Sequence, residues 1–299
     1  MKWALILSGG GSRGLAHIGV LEALEELNVP KPSLIVGCSM GAVIGGLYAA
    51  GVATAEMRDF LSHSFDVSTM MGDAENPLFL GPFGKAVQIG RGIINIFSAD
   101  GMDPGNKMRE LIATKTDNAQ MGHTAIPFLC NATDLISGKE VLLDSGPLAD
   151  AVRASASFPG VFSPVARDNK LLVDGYLSHN TPVWIARKKG FHNVLAVYLD
   201  DFSTFPPERR KSSVDILLRG VDCAVRAKGI RTIDIPTTSI TADNDLAPFN
   251  FDNPKLQMDF GYSETMENKK NLQKFFSQGI TGNSQRKALA KKERKRSKA

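Results

Sequence analysis

The chain has 299 residues, is 43% hydrophobic and 22% charged, and suits one large α/β domain or two small ones. No apolar run approaches the ~20 residues of a membrane-spanning helix. The formal charge of +4 is uneven: eight Lys/Arg and one Glu between Gln285 and Ala299 give a +7 tail, leaving −3 for the remainder.

Ala4-Leu5-Ile6-Leu7 is too short for a signal-peptide core, and glycines follow where a cleavage site would stand. It reads as a buried first strand. After the loop Gly9-Gly10-Gly11-Ser12-Arg13-Gly14, apolar Leu15, Ile18, Leu21, Leu24 and Leu27 recur at spacing three, with Glu22, Glu25 and Glu26 on the other side. That pattern predicts an amphipathic helix, closed off by Pro30 and Pro32. Ser33–Val36 is a second strand. A small-residue helix, Met40–Ala50, follows it, with Gly51 placed to end it. Strand-helix-strand-helix order implies a parallel sheet with a right-handed crossover.

Further strands are predicted at Phe128–Cys130, Glu140–Leu143, Leu171–Val173, Val194–Tyr198 and Ile233–Ile235. Helices are predicted at Pro104–Ala113, Leu148–Ala156, Trp184–Lys189 and Val214–Ala227. With no repeat and no linker, residues 1–284 read as one α/β domain. An insertion at about 66–100 carries Leu78, Phe79, Leu80 and Phe83, then Ala86, Ile89, Ile93 and Ile96 at helical spacing. It is either a cap packed on the core or an apolar lid that meets lipid. The tail, 285–299, is expected to be disordered: either simply solvated, or attached electrostatically to anionic membrane. No aromatic or fold signature accompanies it to indicate nucleic acid. Cys38, Cys130 and Cys223 have no metal-ligand spacing, which points to a reducing, cytoplasmic compartment without disulfides.

Gly37-Cys38-Ser39-Met40-Gly41 is a G-x-S-x-G between a strand and a helix, the setting of a nucleophile elbow. Only glycine at Gly37 and Gly41 avoids clashes in so tight a turn. The turn also aims Ser39 at the positive N-terminus of the next helix. The loop Gly9–Gly14 contains a G-x-G-x-x-G, but the second strand ends in Gly37-Cys38-Ser39 and lacks the acid that a dinucleotide site needs there. Its position beside the elbow suits an oxyanion site instead, with the Gly10 and Gly11 N–H groups as donors. Arg13 either adds positive charge to that loop or bonds its carbonyls. For the base, His17 falls within an amphipathic helix, and His63 and His123 lack supporting context. His179 and His192 follow Asp174 in the chain, so the order Ser-Asp-His is available. The stronger pattern is Leu171-Leu172-Val173-Asp174-Gly175-Tyr176, an acid leaving a buried strand at a glycine.

These stretches resemble the patatin-like phospholipase family. The resemblance rests on Gly9–Leu21, Gly37–Ala42, Ala154–Val165, and Asp174-Gly175-Tyr176 with Asn180-Thr181-Pro182-Val183. Ala132-Thr133-Asp134 with Gly138, and Phe260-Gly261-Tyr262 in a closing helix, also match, so the resemblance covers roughly residues 3–275. It implies a three-layer α/β/α fold with a mostly parallel sheet. It also implies a Ser-Asp dyad without histidine: Ser39 as nucleophile, Asp174 as general base, and Gly9–Gly14 as the oxyanion loop. Tyr176 stands where a small residue is usual. Cys38 and Met40 stand where threonine and a small residue are common. These departures bear on the acyl pocket and leave the reacting groups in place.

The expected function is hydrolysis of phospholipid or acylglycerol esters through an acyl-enzyme, with no metal or cofactor. Two alternatives are an acyltransferase that uses the same acyl-enzyme and a non-catalytic lipid-binding protein.

Overall fold

The computed structural model describes residues 1–63, 105–200, 213–227, 229, 231–244, 251 and 253–297. The insertion at 66–100 lies outside them. In chain order the first strands and helices are β1 (Ala4–Leu7), α1 (Ala16–Glu26), β2 (Leu34–Gly37), α2 (Met40–Ala50) and α3 (Thr54–His63). Then come α4 (Asn106–Lys115), β3 (Phe128–Asp134), β4 (Lys139–Leu143), α5 (Leu148–Ser155), β5 (Val165–Arg167) and β6 (Lys170–Asp174). The chain closes with α6 (Val183–Lys188), β7 (Val194–Tyr198), α7 (Ser213–Ala227), β8 (Thr238–Thr241), α8 (Pro254–Glu267), α9 (Lys269–Phe276) and α10 (Gly279–Arg296).

The strands form one mixed sheet in the order β5-β6-β3-β2-β1-β7-β8, with β4 also paired to β3. β3, β2, β1, β7 and β8 run parallel. β4, β5 and β6 attach antiparallel. Alternate residues of β1 feed opposite layers. Leu5 and Leu7 join Ile35 and Phe128 beneath the helices α1 to α5 and α8 to α10. Ala4 and Ile6 join Val36, Leu129 and Ala196 beneath α6. Burial on both faces explains why β1 and β2 are apolar throughout. The fold is therefore a three-layer α/β/α sandwich, as the resemblance implies.

The placing of the site follows from β3. Its residues Phe128–Cys130 pair with β2, and Ala132–Asp134 pair with β6. β4 overlaps both stretches, so it holds the other edge. β2 and β6 thus share one edge of β3 end to end. β2 stops at Gly37 opposite Cys130, and β6 arrives with Asp174 opposite Ala132. The residue two beyond Gly37 is Ser39, which brings it against Asp174.

Two expectations are corrected. Ile233–Ile235 is not a strand: Thr232–Asp234 is a 3-10 turn, closed by Asp234 accepting from the Arg231 backbone and side chain. The eighth strand is Thr238–Thr241, whose polar sequence hides it. The tail is not disordered as far as it is described, because α10 runs to Arg296. Buried Leu289 anchors it in the core with Phe275, and Glu293 accepts from Ser239 Oγ at 2.9 Å.

Candidate active site

The elbow is built by close approach. An ideal Cβ on Gly41 would stand 2.3 Å from the Leu7 carbonyl oxygen, and one on Gly37 would stand 2.4 Å from that of Gly41. Ser39, between them, has φ 52° and ψ −124°, a region where side chains are strained by about 1–3 kcal/mol. Its N–H donates to Ser155 Oγ at 3.1 Å, and its carbonyl accepts from Ala42 and Val43 in the first turn of α2. These bonds hold the serine just beyond the carboxyl end of β2, a central strand of the sheet.

Ser39 Oγ donates to Asp174 Oδ2 at 2.6 Å. Asp174 is fully buried at the end of β6, and its Oδ1 accepts from the Tyr176 N–H at 2.8 Å. Burial pushes its carboxyl up from 3.8 to about 8, against the opposing pull of the Ser39 hydrogen bond. The backbone is tied as well: the Asp174 N–H donates to the Ser157 carbonyl, and its carbonyl accepts from Thr133 Oγ1 at 3.0 Å. Gly175 is required because a Cβ there would stand 2.5 Å from Asn131 Oδ1.

The glycine loop lies against the same serine. An ideal Cβ on Gly9 would stand 2.9 Å from Ser39 Cβ and 2.6 Å from Asn180 Oδ1. Gly9 N–H donates to the Asn180 carbonyl at 3.3 Å. Gly10 precedes a 3-10 turn, Gly11–Leu15, and Gly11 has φ 59°. Among the described residues, the Gly10 and Gly11 N–H groups have no acceptor, as expected at the open start of a helical turn. Ser12, Arg13 and Gly14 are buried. Arg13 Nε donates to the Gly10 carbonyl at 3.4 Å, and its guanidinium lies 3.8 Å from Asp243. It therefore braces the loop's carbonyl side. Met40 is buried against Gly14, and Tyr176 packs edge-on to Phe158 with ring centroids 6.1 Å apart.

His17 and His179 are engaged elsewhere. His17 Nε2 meets the Ser8 carbonyl at 2.8 Å, and burial pulls its pKa down to about 4. His179 stands between Glu140 (Nδ1 to Oε2, 3.5 Å) and Asp234 (Nε2 to Oδ1, 3.3 Å). Burial pulls its pKa down, but the two carboxylates outweigh this and raise it to about 9. His63 ends α3, and His192 offers its backbone carbonyl to Arg187. Among the described residues, neither Ser39 Oγ nor the Asp174 carboxylate hydrogen-bonds a histidine. Asn131 supports the Asp174 turn without any sequence signal, and Thr133, which also supports it, lies within the matching Ala132-Thr133-Asp134 stretch. Ser155 lies within the Ala154–Val165 stretch, which by itself marks no role for it.

The arrangement provides a serine hydroxyl on a carboxylate, beside free backbone donors. The family model for patatin-like phospholipases matches residues 5–187, which contain all of these groups. The chain belongs to the patatin-like phospholipase family. It is similar to the lysophospholipase NTE1 of Cryptococcus neoformans var. neoformans, 29% identical over 214 residues, covering 70% of this chain and 12% of that protein. It is also 34% identical over 180 residues to an uncharacterized NTE family protein of Mycobacterium tuberculosis, covering 60% of this chain and 44% of that one. The chain thus spans less than half the length of these relatives. Among solved structures, VipD from Legionella pneumophila aligns over 98% of this chain and 74% of its own, with a TM-score of 0.53 and 13% identity. That likeness concerns the fold alone. Among the described residues, no helix is long and apolar enough to cross a membrane.

Proposed function

We propose that the protein hydrolyses carboxylic esters of lipids through an acyl-enzyme on Ser39, with Asp174 as the general base. The observation that carries this reading is the 2.6 Å hydrogen bond from Ser39 Oγ to Asp174 Oδ2. Ser39 Oγ attacks the ester carbonyl as its proton passes to Asp174. The tetrahedral oxyanion forms toward the Gly10 and Gly11 N–H groups, where one such donor is typically worth about 3–4 kcal/mol. Asp174 returns the proton to the departing alcohol. Water then repeats the cycle on the acyl-enzyme. Family membership and the lysophospholipase name of a relative support a lipid ester as the substrate class. The test is a panel of phospholipids, lysophospholipids and acylglycerols assayed with wild type, Ser39→Ala and Asp174→Asn, alongside fluorophosphonate labelling. Hydrolysis and labelling abolished by Ser39→Ala are expected. An active, well-folded Ser39→Ala protein would refute the mechanism, and an unlabelled wild type would favour a non-catalytic lipid-binding role.

A second reading concerns attachment to anionic membrane. On α10, Lys287, Lys291, Arg294 and Lys295 are exposed and fall at helical spacing on one side. Leu289 and Glu293 face the body of the protein. The stripe presents no acid, and each cation near an anionic surface contributes about 1 kcal/mol. Deleting the tail would uncover Phe275. The suitable test is therefore Lys287→Gln, Lys291→Gln and Lys295→Gln together. Weaker binding to anionic vesicles at low salt is expected, and unchanged binding would dismiss the idea.

A further inference from the structure

Leu135 and Ile136 are 50% and 70% exposed, and they are the adjacent pair among the exposed large apolar residues described. Met1, Ile216, Leu256 and Ile280 are exposed singly, which is ordinary on a protein surface. Leu135 and Ile136 instead form one contiguous aliphatic tip.

They are held there by the turn between β3 and β4. Asp134 Oδ1 accepts from the Ile136 and Leu171 N–H groups at 3.1 Å, and Oδ2 accepts from the Ser137 N–H and hydroxyl. The Leu135 N–H donates to the Leu171 carbonyl at 2.8 Å, and Gly138 turns the chain with φ 66°. With its backbone so tied, the tip cannot fold its side chains inward.

The position of the tip is equally defined. Asp174 pairs with Ala132 and Leu172 with Asp134, so the turn continues past the dyad at the carboxyl ends of the parallel strands. At about 3.3 Å per strand residue, Leu135 and Ile136 stand roughly 10 Å beyond Asp174. The basic residues next to the turn along the backbone are Lys139, which pairs with Asp134, and Lys170, which adjoins the Leu171 whose carbonyl accepts from Leu135, whereas Arg167 turns its guanidinium to the Ser145 carbonyl at 2.8 Å. On the opposite edge of the sheet, Arg296 of α10 donates to Thr241 Oγ1 at the carboxyl end of β8.

We infer that the Leu135-Ile136 tip inserts into a phospholipid surface and seats the Ser39 end of the sheet against it. This rests on the lipid-ester reading. A bilayer fits the tip better than a protein partner does. Two side chains fall far short of the ~800 Å² per partner of a standard protein interface, whereas an acyl layer accepts a small apolar wedge without matching its shape. Basic neighbours suit the phosphate layer above the acyl chains. The insertion itself is apolar and resists salt, unlike attraction through α10.

The test uses the full chain, with Leu135→Ser/Ile136→Ser as the disrupted form and Ile136→Trp as a reporter. Binding to phosphatidylcholine vesicles at high salt is measured together with hydrolysis of vesicle lipid and of a soluble short-chain ester. Removing both side chains is expected to weaken binding by at least ~30-fold and to lower vesicle hydrolysis in parallel. Soluble-ester turnover and thermal unfolding should stay at wild-type values. In the reporter, the fluorescence of the introduced indole should shift to the blue on binding and be quenched by brominated acyl chains. Wild-type binding and vesicle hydrolysis in the double variant would overturn the inference, as would equal loss of soluble-ester turnover. A dimer broken by the double variant would also overturn it, assigning the tip to a second copy. If the wild type hydrolyses no ester yet the reporter inserts, the enzymatic reading fails and the interface stands.

Discussion

Replacing Asp174 with Asn separates two consequences of burying this carboxyl group. The change preserves shape: Oδ1 still accepts from the Tyr176 N–H, and the new Nδ2 donates to Ser39 Oγ. What disappears is a titration. Burial raises the Asp174 pKa from 3.8 to about 8, so the fold favours the protonated form. The associated stability is complete below about pH 4 and is lost as pH rises through about 8. At about 1.4 kcal/mol per pH unit, the wild type loses on the order of 3–4 kcal/mol between about pH 5 and 8 that the Asn variant keeps. Denaturant unfolding of both proteins at several pH values measures this directly. The stability of Asp174→Asn relative to wild type should climb with pH, while its turnover falls about 10²–10⁴-fold. Wild-type kcat/KM should rise about tenfold per pH unit and level off near 8. A stability difference that stays constant from pH 5 to 8, or a rate profile already flat at pH 5, would refute the account of a buried base with raised affinity for protons.

Other expectations are more local. Gly9→Ala puts a Cβ 2.9 Å from Ser39 Cβ and 2.6 Å from Asn180 Oδ1. It should lower kcat by about 10²–10³ with little change in KM, because the displaced donors act on charge formed in the transition state; a pure KM effect in steady-state kinetics would reassign the loop to substrate binding. His179→Ala should leave most turnover intact, since both ring nitrogens face Glu140 and Asp234 and not the dyad. It should instead remove stability that the raised pKa makes complete below about pH 6.5 and that the wild type loses as pH rises through about 9. Inactivation of a folded His179→Ala protein would point to a triad.

Much of this site is legible in the chain because its chemistry sits at strand exits marked by glycine. Ser39 and Asp174 each leave an apolar run at such a point, and neither needs distant information to be noticed. That they meet is a property of β3, whose single edge seats β2 and then β6, and no local pattern encodes that pairing. The supports are hidden for the same reason. Ser155 and Thr133 act across the fold, and their side chains look like those of any small polar residue. β8 escapes a sequence reading because Thr-Ser-Ile-Thr lacks the apolar run of a doubly covered strand. α10 escapes it because few of its side chains are buried and its charges dominate the composition. Its order comes from one leucine and a few hydrogen bonds to β8 and the end of α9.

Ser39 and Asp174 oppose folding in different ways, one through backbone strain and the other through desolvation, and the serine's share can be isolated. With φ 52° and ψ −124°, Ser39 occupies a conformation that glycine adopts freely. Ser39→Ala and Ser39→Gly both delete the hydroxyl and its bond to Asp174, so the difference between them contains no dyad chemistry. Relief of strain favours Gly by about 1–3 kcal/mol. The greater freedom of glycine in the unfolded chain takes back about 0.5–1 kcal/mol. Ser39→Gly should therefore be more stable than Ser39→Ala by roughly 1 kcal/mol, with both proteins inactive. Ordinarily a glycine facing no steric conflict is the less stable choice, so the sign alone is diagnostic. An alanine variant as stable as the glycine variant, or more so, would mean that the elbow relaxes around its side chain and that the fold is not storing strain at the nucleophile.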